Sequence, residues 1–252
     1  MNKYYSGQGT LYVGERDSNG YPSKGLVSVG NVPTLEISIE IEKFEHKESE
    51  SGNRAIDLTL VQELNGTFQA VLESISSANL ALGFFGTSAS VTGAAVAAED
   101  IVIDTLGVNY PLANVNIAQA PAPTAQDSLA ASLTLGTDFT IDYDNGTVQI
   151  ATGYGGTIPD TFTFGYTYAD YLQMSAFTET LVERYMRFEG LNTVDDDRVI
   201  VDIFKASIDP AQNFGLINEE IASLTLNGTI LRDTLNASTG SEFFIERRLG
   251  TL

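Results

Sequence analysis

Three groups of side chains could do chemistry in this chain. Asp195, Asp196 and Asp197 stand in succession, and Asp138, Asp142 and Asp144 run up to Asn145-Gly146. Oxygen ligands so placed are what hard cations such as Ca²⁺ and Mg²⁺ take. A calcium loop, however, needs a D-x-[DN]-x-[DN]-G frame closed by a glutamate at its twelfth position, and neither stretch supplies it. Both read first as acidic turns, with a cation at Asp195–Asp197 left open. His46 is the one histidine. Amid Glu45, Lys47, Glu48 and Glu50 it reads as a loop residue rather than a general base. Paired carboxylates suit a glycosidase, but among 33 acidic residues some pair lies close by chance. Cysteine is absent, which removes disulfides, thiolate nucleophiles and thiolate metal sites. No nucleophile elbow, zinc-protease helix, phosphate loop or dinucleotide fingerprint occurs. The expectation is a protein that is not an enzyme and needs no cofactor or metal.

The third group is more informative. Leu35-Glu36-Ile37-Ser38-Ile39-Glu40-Ile41-Glu42 alternates without a fault, the pattern of a strand with one apolar and one wet face. Glu36, Glu40 and Glu42 share the wet face. Like charges in a row repel, so this is either a solvated outer face or a surface that must reject a polyanion. The net charge of −20 over 252 residues argues against nucleic acid or an anionic membrane as an attractive partner. It is compatible with standing close to DNA without binding it.

These residues need elements to position them. Hydrophobic residues make up 43% of the chain, enough for one large or two small cores. No apolar run approaches the roughly 18 residues that span a bilayer, and the N-terminus shows no secretory pattern. The strand at about 34–44 leads through a charged stretch, Glu45 to Asn53, into a second alternating strand at about 55–62. Such a loop of roughly ten residues exceeds the usual hairpin length of two to five, which marks it as a candidate contact element. Phe68, Val71, Leu72 and Ile75 recur at helical spacing, with Thr67 as N-cap and Gly83 or Gly86 as stop, so a helix is expected over 68–80. Composition then shifts to Ala, Ser, Thr and Val. Strands are expected at 100–104, 114–117, 138–143, 147–150 and 162–168, with Asn145-Gly146 as a type I′ hairpin turn. The first texture resumes near 174, with strands at 182–188, 198–207, 223–231 and 243–245. The fold class is mainly β: a β-sandwich or barrel-like core with one flanking α-helix and an inserted small β-domain. The core takes residues 1–87 and 171–252, and the inserted outer module 88–170.

Taken in order, four stretches resemble the major tail tube proteins of long-tailed bacteriophages. They are Gly7–Gly14 with Val29–Pro33; Glu45–Arg54 with Leu80–Gly86; Gly136–Asp142 with Asn145–Thr147 and Tyr166–Tyr168; and Arg187–Asn192 through Val199–Phe204 to Asp209–Ala211. The resemblance implies a structural virion subunit, made in the host bacterial cytoplasm and assembled as stacked hexameric rings into a conduit for DNA ejection. It implies tape-measure, tail terminator and distal tail proteins as partners, DNA passed without being bound, and no membrane. Glu36, Glu40 and Glu42 would then face the lumen. Glu45, His46, Lys47, Glu48, Glu50 and Arg54 would form a ring-to-ring loop. The alternative is a bacterial surface or adhesin-type β-sandwich binding module. It shares the acidity but should carry an anchor, repeats or a secretion signal.

Overall fold

A computed structural model describes residues 4–50 and 52–249. Residues 1–3, Ser51 and 250–252, on which parts of the terminal and loop readings fall, lie outside them.

The chain is mainly β, with one α-helix. It opens with β1 (Gly7–Glu15), β2 (Val27–Ser28), β3 (Thr34–Lys47) and β4 (Ile56–Leu72), followed by α1 (Ser77–Gly83) and β5 (Thr87–Val91). Next come β6 (Ala94–Ile103), β7 (Tyr110–Pro111), β8 (Thr124–Gln126), β9 (Ser132–Leu133), β10 (Phe139–Asp142), β11 (Thr147–Ile150) and β12 (Asp160–Tyr168). The chain ends with β13 (Tyr171–Ser175), which pairs with β5, then β14 (Val182–Asn192), β15 (Arg198–Ile208), β16 (Leu224–Ile230) and β17 (Phe244–Leu249). Two compact units result, Met1–Ser88 with Met174–Leu252 and Ala89–Gln173.

The first unit is an antiparallel sheet in the order β2-β1-β14-β15-β16-β4-β3, with β17 added along β15. β16 shows why the sheet has one inner face: Leu224, Leu226, Gly228 and Ile230 are buried while Thr225, Asn227 and Thr229 are partly open. Leu11, Phe68, Ala70, Leu72, Met186 and Ile208 join them in one core. Two polar clusters reinforce it. Asp233 accepts from Arg16 Nη2 at 2.6 Å and Asn236 Nδ2 at 2.9 Å. Burial works to raise its pKa, yet these two partners and the Leu235 amide together hold the carboxyl below its ordinary value. Asp202, only 2% exposed, receives Arg247 from β17 and lies 3.6 Å from Arg187. Neighbouring Tyr185 has its pKa pushed up, first by burial and then by that carboxylate.

The second unit has its own core, in which Phe139 and Phe164 meet edge-on at 6.1 Å beside Ile103, Val148, Ile150 and Phe162. Tyr166 lies in this core, where burial, followed by its hydrogen bond to Glu99, pushes its pKa up to about 12.

Several expectations are corrected. The helix does not cover 68–80. Residues 68–72 finish β4, paired to β16 on one side and β3 on the other. The helix is Ser77–Gly83, where Ser76 Oγ accepts from the Asn79 amide at 3.1 Å as N-cap. Phe68, Val71 and Leu72 fit a helical period by coincidence; Phe68, Ala70 and Leu72 alternate inward, and pairing to β3 and β16 on either edge fixes the extended form. The hairpin strands run further than 34–44 and 55–62, so Glu45, His46 and Lys47 belong to β3 and the turn is shorter. No strand forms at 114–117, where Asn116 takes φ 56° and interrupts extension; Ile117 alone bridges to Tyr168. The 142–147 turn is not type I′. Only Gly146 has positive φ, and the Asp142 carboxylate caps the amides of Asp144 and Asn145.

Candidate functional site: a bare hairpin arm and an acidic strand face

The β3–β4 ribbon has two parts. Near its root, Leu35 pairs with Ala70 and Ile37 with Phe68, and these face the core. β16 supports β4 only as far as the Ile230–Gly66 pair. Gly66 suits that last supported row, since a Cβ there would come within 3.3 Å of Ile230. Beyond it the two strands continue alone, through Ile41↔Leu64, Lys43↔Val61, Phe44↔Leu60 and His46↔Leu58 to Lys47↔Ile56. At about 3.3 Å per residue the unsupported arm reaches roughly 25 Å.

Apolar residues on the arm have nothing to cover them. Ile39 is 56% exposed and Val61 63%, and Ile41, Phe44, Leu58, Leu60 and Leu64 are each close to half exposed. This corrects the expectation that the whole isoleucine face is buried; only Ile37 keeps that role. Directly paired residues share a face, so the core-side face runs outward as Ile39, Ile41 with Leu64, Lys43 with Val61, and Lys47 with Ile56. The register shift at Glu42/Lys43 turns Leu58 and Leu60 to the opposite face, where Phe44 stands by plain alternation. An isolated two-stranded hairpin is marginal in water. One with apolar groups on both faces calls for a partner surface.

The candidate residues sort as follows. Glu36, Glu40 and Glu42 stand on one face, opposite Gln69, Asn65 and Glu63. Asn227 of β16 continues that face and accepts from Gln69 Nε2 at 2.9 Å. Neither Lys nor Arg occurs in 34–42, 63–72 or 224–230, so this face holds acid and amide groups without a counter-cation. The other group is divided. Glu45, His46 and Lys47 are on β3, while Glu48, Glu50 and Arg54 are in the turn that the Glu48 amide closes on Ala55 O at 2.8 Å. His46 Nδ1 lies 2.6 Å from Asp57 Oδ1, and this hydrogen bond is the main reason the Asp57 carboxyl is held below its usual range.

Asp195–Asp197 form the turn between β14 and β15. Asp195 accepts from Asn192 Nδ2, and the Asn192 amide donates to Asp197 O at 2.8 Å. Among the described residues no group of His, Asp and Glu is gathered to hold a metal ion, and no helix is long and apolar enough to cross a membrane. Sequence reasoning missed one surface. Between β15 and β16, Leu216, Ile217 and Ile221 are 87%, 97% and 79% exposed. The signal was available in Leu216-Ile217-Asn218-Glu219-Glu220-Ile221, three large apolar residues in a stretch with no strand or helix period.

Residues 4–245 match the family model described as "Protein of unknown function UCP028589". The chain belongs to this family. The matched span takes in the second compact unit, most of the first and the whole arm. No curated protein matches the sequence.

Proposed function

We propose that the chain is the structural subunit of a bacteriophage tail tube, built from stacked rings of itself and conducting DNA during ejection. The observation that carries this reading is the outer β3–β4 ribbon. A chain of net charge −20 keeps an ordered arm whose apolar side chains are half bare on both faces. Self-repulsion opposes association of such chains, so an arm with this much bare apolar surface is best explained by a partner that covers it. The cation-free face of Glu36, Glu40 and Glu42 supports a channel lining. A positive lining would bind DNA by counterion release and stall it, whereas an acidic one leaves it mobile. The sixfold number and the tape-measure, terminator and distal tail partners come from the resemblance to tail tube proteins.

The test is light scattering and negative-stain microscopy of the purified chain across a concentration series. The expected outcome is rings or tubes with a central channel. A chain that stays monomeric at high micromolar concentration overturns the reading.

A further inference from the structure

Charge is divided unevenly between the two units. Ala89–Gln173 holds nine carboxylates and no Lys, Arg or His. The first unit holds the other 24 acidic residues and all 13 basic ones. An even spread by length would give the second unit about four of those cations. General acidity therefore does not account for it. The first unit is acidic with roughly one cation for every two acids, the second with none.

The fold of the second unit holds its carboxylates without cations. Eight of the nine accept from an amide or a hydroxyl of the same unit. Asp127 takes the Leu129 and Ala131 amides at 3.0 and 2.8 Å, and Asp142 takes the Asn145 amide at 3.0 Å. No three of them gather as ligands of one metal ion, so the charge is spread over the unit. In the β6-β12-β8-β9 sheet, Ile103, Phe162, Phe164 and Ala125 are buried. The other face carries Asp100, Val102, Thr161, Thr163, Gln126 and Ser132. Apart from Val102, that face is hydroxyl, amide and carboxylate. It offers an approaching copy of itself like charge and no cation to pair with.

Burying such a unit against an equally acidic copy would strand carboxylates without partners, at heavy desolvation cost. In an assembly of this chain the unit therefore faces solvent. A compact unit of 85 residues has a radius of gyration of roughly 12 Å, and a ring of such units would obstruct a channel that passes a duplex. The outer wall is the place left. The first unit gives it something to prevent, since Leu216, Ile217 and Ile221 are bare apolar residues of the kind that drives association.

We propose that the second unit is an electrostatic spacer, whose cation-free surface keeps assembled tubes from associating side by side. This rests on the tube reading, since only assembled chains have sides to keep apart.

The test forces tubes together with polyethylene glycol and reads the osmotic pressure at which half of them sediment at low speed. Asn109, Gln126, Thr140 and Thr157 are exposed, so replacing them should leave the melting temperature unchanged. Changing all four to Lys takes the unit from −9 to −5, and changing all four to Glu takes it to −13. Repulsion scales with the product of the facing charges. At about 0.1 M salt, where fields reach about 10 Å, the threshold should fall roughly threefold for the Lys variant and rise roughly twofold for the Glu variant. At about 1 M salt, where the reach is about 3 Å, the three thresholds should converge. Tubes that form but show equal thresholds at low salt overturn the spacer and leave the tube reading standing. So does a difference that survives high salt, which would be stickiness rather than charge. A folded Lys or Glu variant that no longer assembles would put this surface inside a subunit contact and also overturn it. If the natural chain never assembles, both readings fall.

Discussion

The inner and outer halves of the β3–β4 ribbon follow one sequence rule and meet two fates. In both, aliphatic residues alternate with polar ones, and Ile37, Ile39 and Ile41 are chemically identical. Ile37 packs on the core beside Phe68, which is 3% exposed. Two residues on, Ile39 is more than half exposed. The difference lies wholly in the neighbours, because β16 ends at Ile230 and offers the outer ribbon nothing to lie against. Alternation therefore reports that a strand has two unlike faces, not what covers the apolar one. An apolar face left bare by its own chain is a statement about a partner.

That contrast can be broken at either half. At the root, Phe68→Ala removes a buried ring that lies over Gly228 and pairs with Ile37. The expected loss is about 3–5 kcal/mol of unfolding free energy, read as a fall in the denaturant midpoint for the first unit. A change well under ~1 kcal/mol would mean that the root is not the core it is taken for. On the arm, Phe44→Ser with Leu60→Ser removes comparable apolar area but leaves no internal cavity. Exposed substitutions of this kind stay within about 0.5 kcal/mol, so the midpoint should hold while association in light scattering is lost. An unfolded arm variant, or one that associates normally, would erase the distinction between the halves.

How much of this was legible follows the same divide. The acidic face was readable because alternation fixes which residues share a side: Glu36, Glu40 and Glu42 do stand together. The reach of β4 was not. Asn65-Gly66-Thr67 has the composition of a helix start, and Phe68, Val71 and Leu72 fit a turn of helix. Only the strands on both sides of 66–72 decide for extension, and those come from residues 34–39 and 224–230. The bareness of Ile39, Ile41 and Leu64 was equally hidden, since it depends on where a strand more than 150 residues away stops. The exposed Leu216, Ile217 and Ile221 carry no period, and a segment without period gives no face to assign.

The smallest effect tests whether the outer ribbon is ordered before anything covers it. Asp57 sits at the second irregularity of the arm, and its carboxylate accepts from His46 Nδ1, which holds its pKa below the ordinary value. Both side chains are about half exposed, so the contact is worth little in stability but remains a local reporter. A carboxyl lowered in the folded state stabilises that state above the unfolded value, near 3.9, and the contribution vanishes as pH falls through the lowered value. In the monomer at low concentration, a carbon-detected titration should find the Asp57 midpoint below ~3.9. His46→Ala should return it to the model-peptide range, because the hydrogen bond is the largest cause of the shift. An ordinary midpoint in the unaltered monomer would mean that the arm forms only when a partner covers it. The outer half would then fold on binding, with the ordering cost subtracted from the association energy, and dilution would melt it while leaving the root intact.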